Sequence, residues 1–135
     1  MSRKAKKNES PAKRQKKIDP LKINIGRGFF ILNAVLWFGY GIYIYYDMAI
    51  ANNNKASADI VTLFTFVNAG MLLFSGIKLG KPEKWTYIFV ISLASFNALL
   101  SLFNIVDLFF LVSFLLDLIL LWVVVPFRRQ YFPKP

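Results

Sequence analysis

Four residues able to hold or exchange a proton or an ion stand out, one in each long apolar stretch: Asn33, Asn68, Asn97 and Asp117. The last interrupts FLVSFLLDLILLWVVV (Phe110 to Val125), where fifteen of sixteen residues suit hydrocarbon. A lipid-facing Asp costs at least ~2.5–3.5 kcal/mol on the insertion scale, so Asp117 is expected to face other helices. Depths follow from a rise of ~1.5 Å per residue. Counted from the inner-side ends of the segments (Ile77, Pro126, Trp85 and Gly28), Asn68 and Asp117 lie roughly 14 Å deep, Asn97 roughly 18 Å and Asn33 roughly 8 Å. Three of the four therefore share one level near the bilayer centre. Helical spacing adds small and hydroxylated neighbours: Thr65 and Ser75 with Asn68, Ala94 and Ser101 with Asn97, and Ser113 one turn before Asp117. Such residues allow close helix approach and interhelical hydrogen bonds. The expectation is a polar cluster of Asn68, Asn97 and Asp117 inside a bundle. It serves as glue that fixes helix register, as a protonatable site for an ion or cationic substrate, or as a contact for a partner's basic residue.

The elements that carry these residues are apolar segments over 28–46, 60–77, 85–103 and 105–125. A span takes roughly 20 residues for ~30 Å of hydrocarbon, and helices satisfy their own backbone in lipid. The fold class read from them is all-α: an integral membrane protein with four transmembrane helices in an antiparallel bundle over 25–127. A polybasic tail (1–24), expected to be disordered, and a short basic C-tail (128–135) flank it. The tail is too Lys-rich and too poor in bulky apolar groups to offset its ordering entropy. DMAIANNNKASAD (Asp47–Asp59) reads as a polar loop and GKPEK (Gly80–Lys84) as a turn. The connection near Asn104 is tight enough to make segments three and four a hairpin. Asp107 suits the N-terminus of the fourth helix, where a carboxylate meets the positive end of the dipole. Trp37, Trp122 and the many Phe residues read as lipid-facing or packing groups. Ala49-Ile50-Ala51 has the form of a signal-peptidase site, but the long apolar and basic stretches before it point to a retained first span.

Charge gives the orientation. Of seventeen Lys and Arg, ten lie between Arg3 and Arg27, and six more fall in the Lys78–Lys84 connection and the C-tail. Only Lys55 falls on the other side, so both termini are expected to be cytoplasmic. Ten cations ahead of the first long apolar run exceed what orientation requires. Lys13, Arg14, Lys16, Lys17, Lys22 and Arg27 are therefore expected to contact anionic lipid, worth ~1 kcal/mol each near the surface. An acidic partner or RNA could take the same contacts, since phosphate binding by Lys is sequence-independent. No aromatic residue is interleaved up to Asn24, which argues against base stacking.

Several chemistries are excluded or unsupported. The chain has no Cys and no His, which removes thiolate chemistry, the usual zinc sites and the commonest general base. An aspartyl protease needs two carboxylates sharing a proton. Asp107 stands ten residues, roughly 15 Å, from Asp117. Gly26-Arg27-Gly28 and Gly76…Gly80 lack the rest of a phosphate loop. No catalytic residue, metal or cofactor is expected.

GIKLGKPEKWTY (Gly76, Gly80, Lys81 and Trp85), VDLFFLVSFLLDLILLW and the ending PFRRQYF together resemble a loose group of small, uncharacterised four-span prokaryotic membrane proteins, over residues 26–132. Glu83, Lys84 and the long basic tail depart from that pattern. The resemblance implies a four-span bundle in a prokaryotic cell membrane, and no activity. The expected role is that of an accessory or structural subunit, in contact with other membrane subunits or with itself. The alternatives are a small proton- or cation-coupled carrier or channel using Asp117, and a tether whose tail recruits RNA or another polyanion.

Overall fold

The computed structural model describes residues 20–81 and 83–132, so the expected contacts Lys13, Arg14, Lys16 and Lys17 lie outside the described residues. Four long helices form the expected antiparallel bundle: α1 (Pro20–Tyr45), α2 (Lys55–Lys78), α3 (Lys84–Phe103) and α4 (Leu108–Val124). Each is long and apolar enough to cross a membrane. A 3-10 turn, Val125–Phe127, joins α4 to a short terminal helix, α5 (Arg128–Tyr131).

Three expected boundaries are corrected. Helix one includes Pro20 to Asn24, inside the segment expected to be tail, where Leu21, Lys22 and Ile23 continue the pattern. The loop expected over Asp47–Asp59 shrinks to three residues. Tyr46–Ala51 instead extends α1 as a π-helical turn, with Asn52 N–H donating to Asp47 O at 3.1 Å. Asn54 then caps α2 by accepting from Ser57 N–H at 3.3 Å. These Asn residues satisfy the free groups of helix ends and do not make a long loop. The C-tail also contains structure: α5 covers Arg128–Tyr131, and Tyr131 is buried. Tyr131 donates to Leu79 O at 2.6 Å and stacks on Tyr87 at 5.1 Å, while Tyr87 donates to Val125 O at 3.2 Å. Two expectations hold as made. Asp107 caps α4, accepting from Phe109 N–H at 2.9 Å, and α3 and α4 form a hairpin through Asn104–Asp107.

The bundle is two hairpins, α1–α2 and α3–α4, joined mainly where α1 meets α4; α2 and α3, although consecutive, touch little. Close approach of α1 and α2 needs Gly41 and Gly76. A Cβ on Gly41 would stand 2.5 Å from Thr65 Oγ1, and one on Gly76 would stand 3.1 Å from Phe30 Cβ. The outward faces are aliphatic and aromatic, with Phe64, Phe103 and Trp122 largely exposed, as hydrocarbon as the solvent demands.

The terminal tyrosine anchor gives a first prediction. Tyr131→Phe loses one neutral hydrogen bond, worth about 1 kcal/mol, and is expected to speed tryptic cleavage at Arg128 and Arg129 without unfolding the spans. Burial, then neighbouring Tyr87, raises the Tyr131 phenol above its ordinary 10.0. The contribution of this anchor is therefore full below pH 10.0 and fades as pH rises further. The same cleavage assay across alkaline pH reads this out.

Candidate functional site

The buried polar residues lie on the inward faces of all four helices. Asn33 on α1, Asn97 on α3, and Ser113 and Asp117 on α4 are fully inaccessible, and Asn68 on α2 is nearly so. Asn33 Nδ2 donates to Asp117 Oδ1 at 2.7 Å. Ser113 Oγ donates to Asn33 Oδ1 at 3.4 Å, and Trp37 Nε1 donates to Ser113 Oγ at 3.1 Å. Asn33 and Trp37 are one turn apart on α1, as Asp117 and Ser113 are on α4. Two antiparallel helices thus meet in two rungs, Asn33 with Asp117 and Trp37 with Ser113. Every donor in this chain points toward the carboxyl group, which concentrates hydrogen-bond dipoles on Asp117.

This differs from the expected cluster. Asn68 and Asn97 are buried and inward, but neither bonds to Asp117; their amide atoms have no hydrogen-bond partner among the described residues. The partner of Asp117 is Asn33, which a helix start at Gly28 had placed too shallow. With α1 beginning at Pro20, Asn33 sits thirteen residues in, roughly 20 Å. Trp37 is buried and bonded, so its role extends beyond packing, whereas Trp122 is exposed. The signal available in the sequence was the matched spacing of four in Asn33…Trp37 and Ser113…Asp117.

Two further features bear on function. Asp117 Oδ2 has no partner, and no cation is paired with it among the described residues. The ends of the bundle also differ in charge. One carries Lys22, Arg27, Lys78, Lys81, Lys84, Arg128 and Arg129 against Glu83; the other carries Asp47, Asp59 and Asp107 against Lys55. Lys22 is exposed, whereas Arg27 is half-buried with Nε enclosed and its guanidinium against Gly80. At the basic end a groove of ≈ 600 Å³ runs between α1 and α4, walled by Ile25, Trp122, Val125 and Pro126, with Lys22 as its charged member. Among the described residues no cluster of acidic side chains could hold a metal ion. No family model, curated protein or solved structure matches the chain.

Proposed function

We propose that this small integral membrane protein is an accessory or structural subunit of a membrane complex, without catalytic activity, whose basic end holds anionic lipid or an acidic partner at the cytoplasmic face. The observation that carries the reading is where the intramembrane polarity is spent: Asn33–Asp117 and Trp37–Ser113 join the two hairpins across α1 and α4. Polar pairs of this kind hold helices together, and these are closed to the outside. The accessible charged chemistry is at the ends. There the groove beside Lys22 offers an apolar slot beneath a cation, which suits an acyl chain below a phosphate.

The test is lipid analysis of the full chain purified in mild detergent, against a variant with Lys13, Arg14, Lys16, Lys17 and Lys22 changed to Gln. At ~1 kcal/mol per residue near an anionic surface, the variant is expected to retain at least tenfold less anionic lipid, and its binding to lose salt dependence. Equal retention in the two chains would remove lipid from the account, and co-purified RNA or an acidic protein lost with the charges would name the occupant instead. A second reading, a proton- or cation-coupled carrier, is favoured by one observation, the unpartnered Oδ2 of Asp117. Asp117→Asn separates the two: the structural role survives the change and a carrier's does not.

A further inference from the structure

The turn between α2 and α3 gathers three cations that the bundle itself does not use. Arg27 reaches across from α1, so that its Nη2 and Cζ would lie 2.7 and 3.5 Å from a Cβ on Gly80. Its guanidinium has no hydrogen bond or ion pair among the described residues; Nε is enclosed, while the Nη groups stay open to a ligand. Lys78 and Lys81, three residues apart, bring their ammonium groups close enough to repel each other. Lys78 Nζ also lies 5.5 Å from the centre of the Phe74 ring. Glu83 acts on Lys78, but its carboxylate makes no ion pair among the described residues and accepts from the Thr86 hydroxyl at 3.5 Å. Lys84 is drawn elsewhere, with Nζ 5.7 Å from the centre of the Phe132 ring.

Three arguments define what completes this arrangement. The C-terminal end of a helix repels an anion through its free carbonyls. Here Lys78 O accepts from Lys81 N–H at 2.9 Å and Leu79 O from Tyr131 at 2.6 Å, so the carbonyls nearest the cations are occupied. Gly80 has no positive φ, so its missing side chain serves the guanidinium and not the turn. An Arg fork bonds two oxygens of one phosphate, and neighbouring lysines neutralise it as point charges. Three cations against the one carboxylate of Glu83 leave two positive charges, which match a phosphomonoester carrying close to two negative charges near pH 7. We propose that Arg27, Lys78 and Lys81 form a phosphate site, selective for a phosphomonoester, with Gly80 leaving room for the guanidinium. The inference rests on the proposed hold on anions at the basic end and deepens it. It places the specific contact at the α2–α3 turn, apart from the tail and from the groove beside Lys22.

The test titrates dioleoylphosphatidic acid, a monoester, onto the full chain in mild detergent and counts bound molecules by native mass spectrometry. Dioleoylphosphatidylglycerol, a diester with the same chains, is expected to bind more weakly. Arg27→Gln is expected to weaken the first bound phosphatidic acid about tenfold. Arg129→Gln removes the same charge from α5 and is expected to change it by less than about threefold. Gly80→Ala removes no charge, and its Cβ meets only the end of the flexible Arg27 side chain and an ordinary contact at Ile23. It too is expected to weaken binding, with unfolding in dodecyl sulfate unchanged, which keeps the test open if Arg27→Gln misfolds. Displacement by millimolar inorganic phosphate would assign the site to a soluble phosphate, and retention would assign it to the lipid. Equal weakening by Arg27→Gln and Arg129→Gln, with Gly80→Ala like the parent, would overturn the site and leave a diffuse basic end standing. A parent chain that binds phosphatidic acid no better than phosphatidylcholine would remove that broader reading as well.

Discussion

Asn33→Leu is expected to lower the stability of the bundle by about 1–3 kcal/mol, because it leaves the Asp117 carboxyl group buried without its one hydrogen-bond donor. The loss exceeds the ~0.6 kcal/mol average of hydrogen bonds between membrane helices, since the unpaired group belongs to an acid. Asn33→Leu with Asp117→Leu is expected to restore stability to near the parent value or above it, as matched apolar replacements of buried polar groups often do. Unfolding in mixed micelles of increasing dodecyl sulfate content measures all four corners of this cycle. A loss in the double variant equal to the sum of the two single losses would show that Asn33 and Asp117 act independently.

Gly41→Ile is expected to have the other large effect. Its new Cβ would meet Thr65 Oγ1 at 2.5 Å and the Phe66 ring at 2.8 and 3.0 Å, so these α2 side chains must shift to admit it and the larger Ile side chain presses on α2. Overpacking of this kind costs about 1–3 kcal/mol. Gly70 is the internal control: nothing stands within 4 Å of a Cβ there, so Gly70→Ile is expected to stay within about 0.5 kcal/mol of the parent in the same assay.

The sequence made the spans legible because lipid demands about 20 apolar residues and a self-satisfied backbone, and both are visible in a single chain. Asp107 was readable as a cap and Asp117 as inward-facing for similarly local reasons. The partner of Asp117 was not readable from a depth ruler, because that ruler inherits the error of each helix boundary. A start placed at Gly28 instead of Pro20 moved Asn33 out of the level of the carboxyl group. The Asn-rich stretch after Tyr46 misled in the same way. Asn52 and Asn54 are polar because they close helix ends, and polarity alone does not distinguish a cap from a loop. Helix order lay beyond the sequence altogether. α2 and α3, neighbours in the chain, are not the neighbours that pack.

The central claim is that intramembrane polarity holds the two hairpins together while recognition belongs to the basic end. Co-purification from native membranes in mild detergent tests it most directly, comparing the parent chain, the Asn33→Leu/Asp117→Leu chain and the chain with the five Gln replacements. The account predicts that the doubly apolar chain keeps the proteins and lipids bound to the parent and that the charge-depleted chain loses them. Retention by the charge-depleted chain together with loss from the doubly apolar one would contradict it, and would make Asn33 and Asp117 the functional centre.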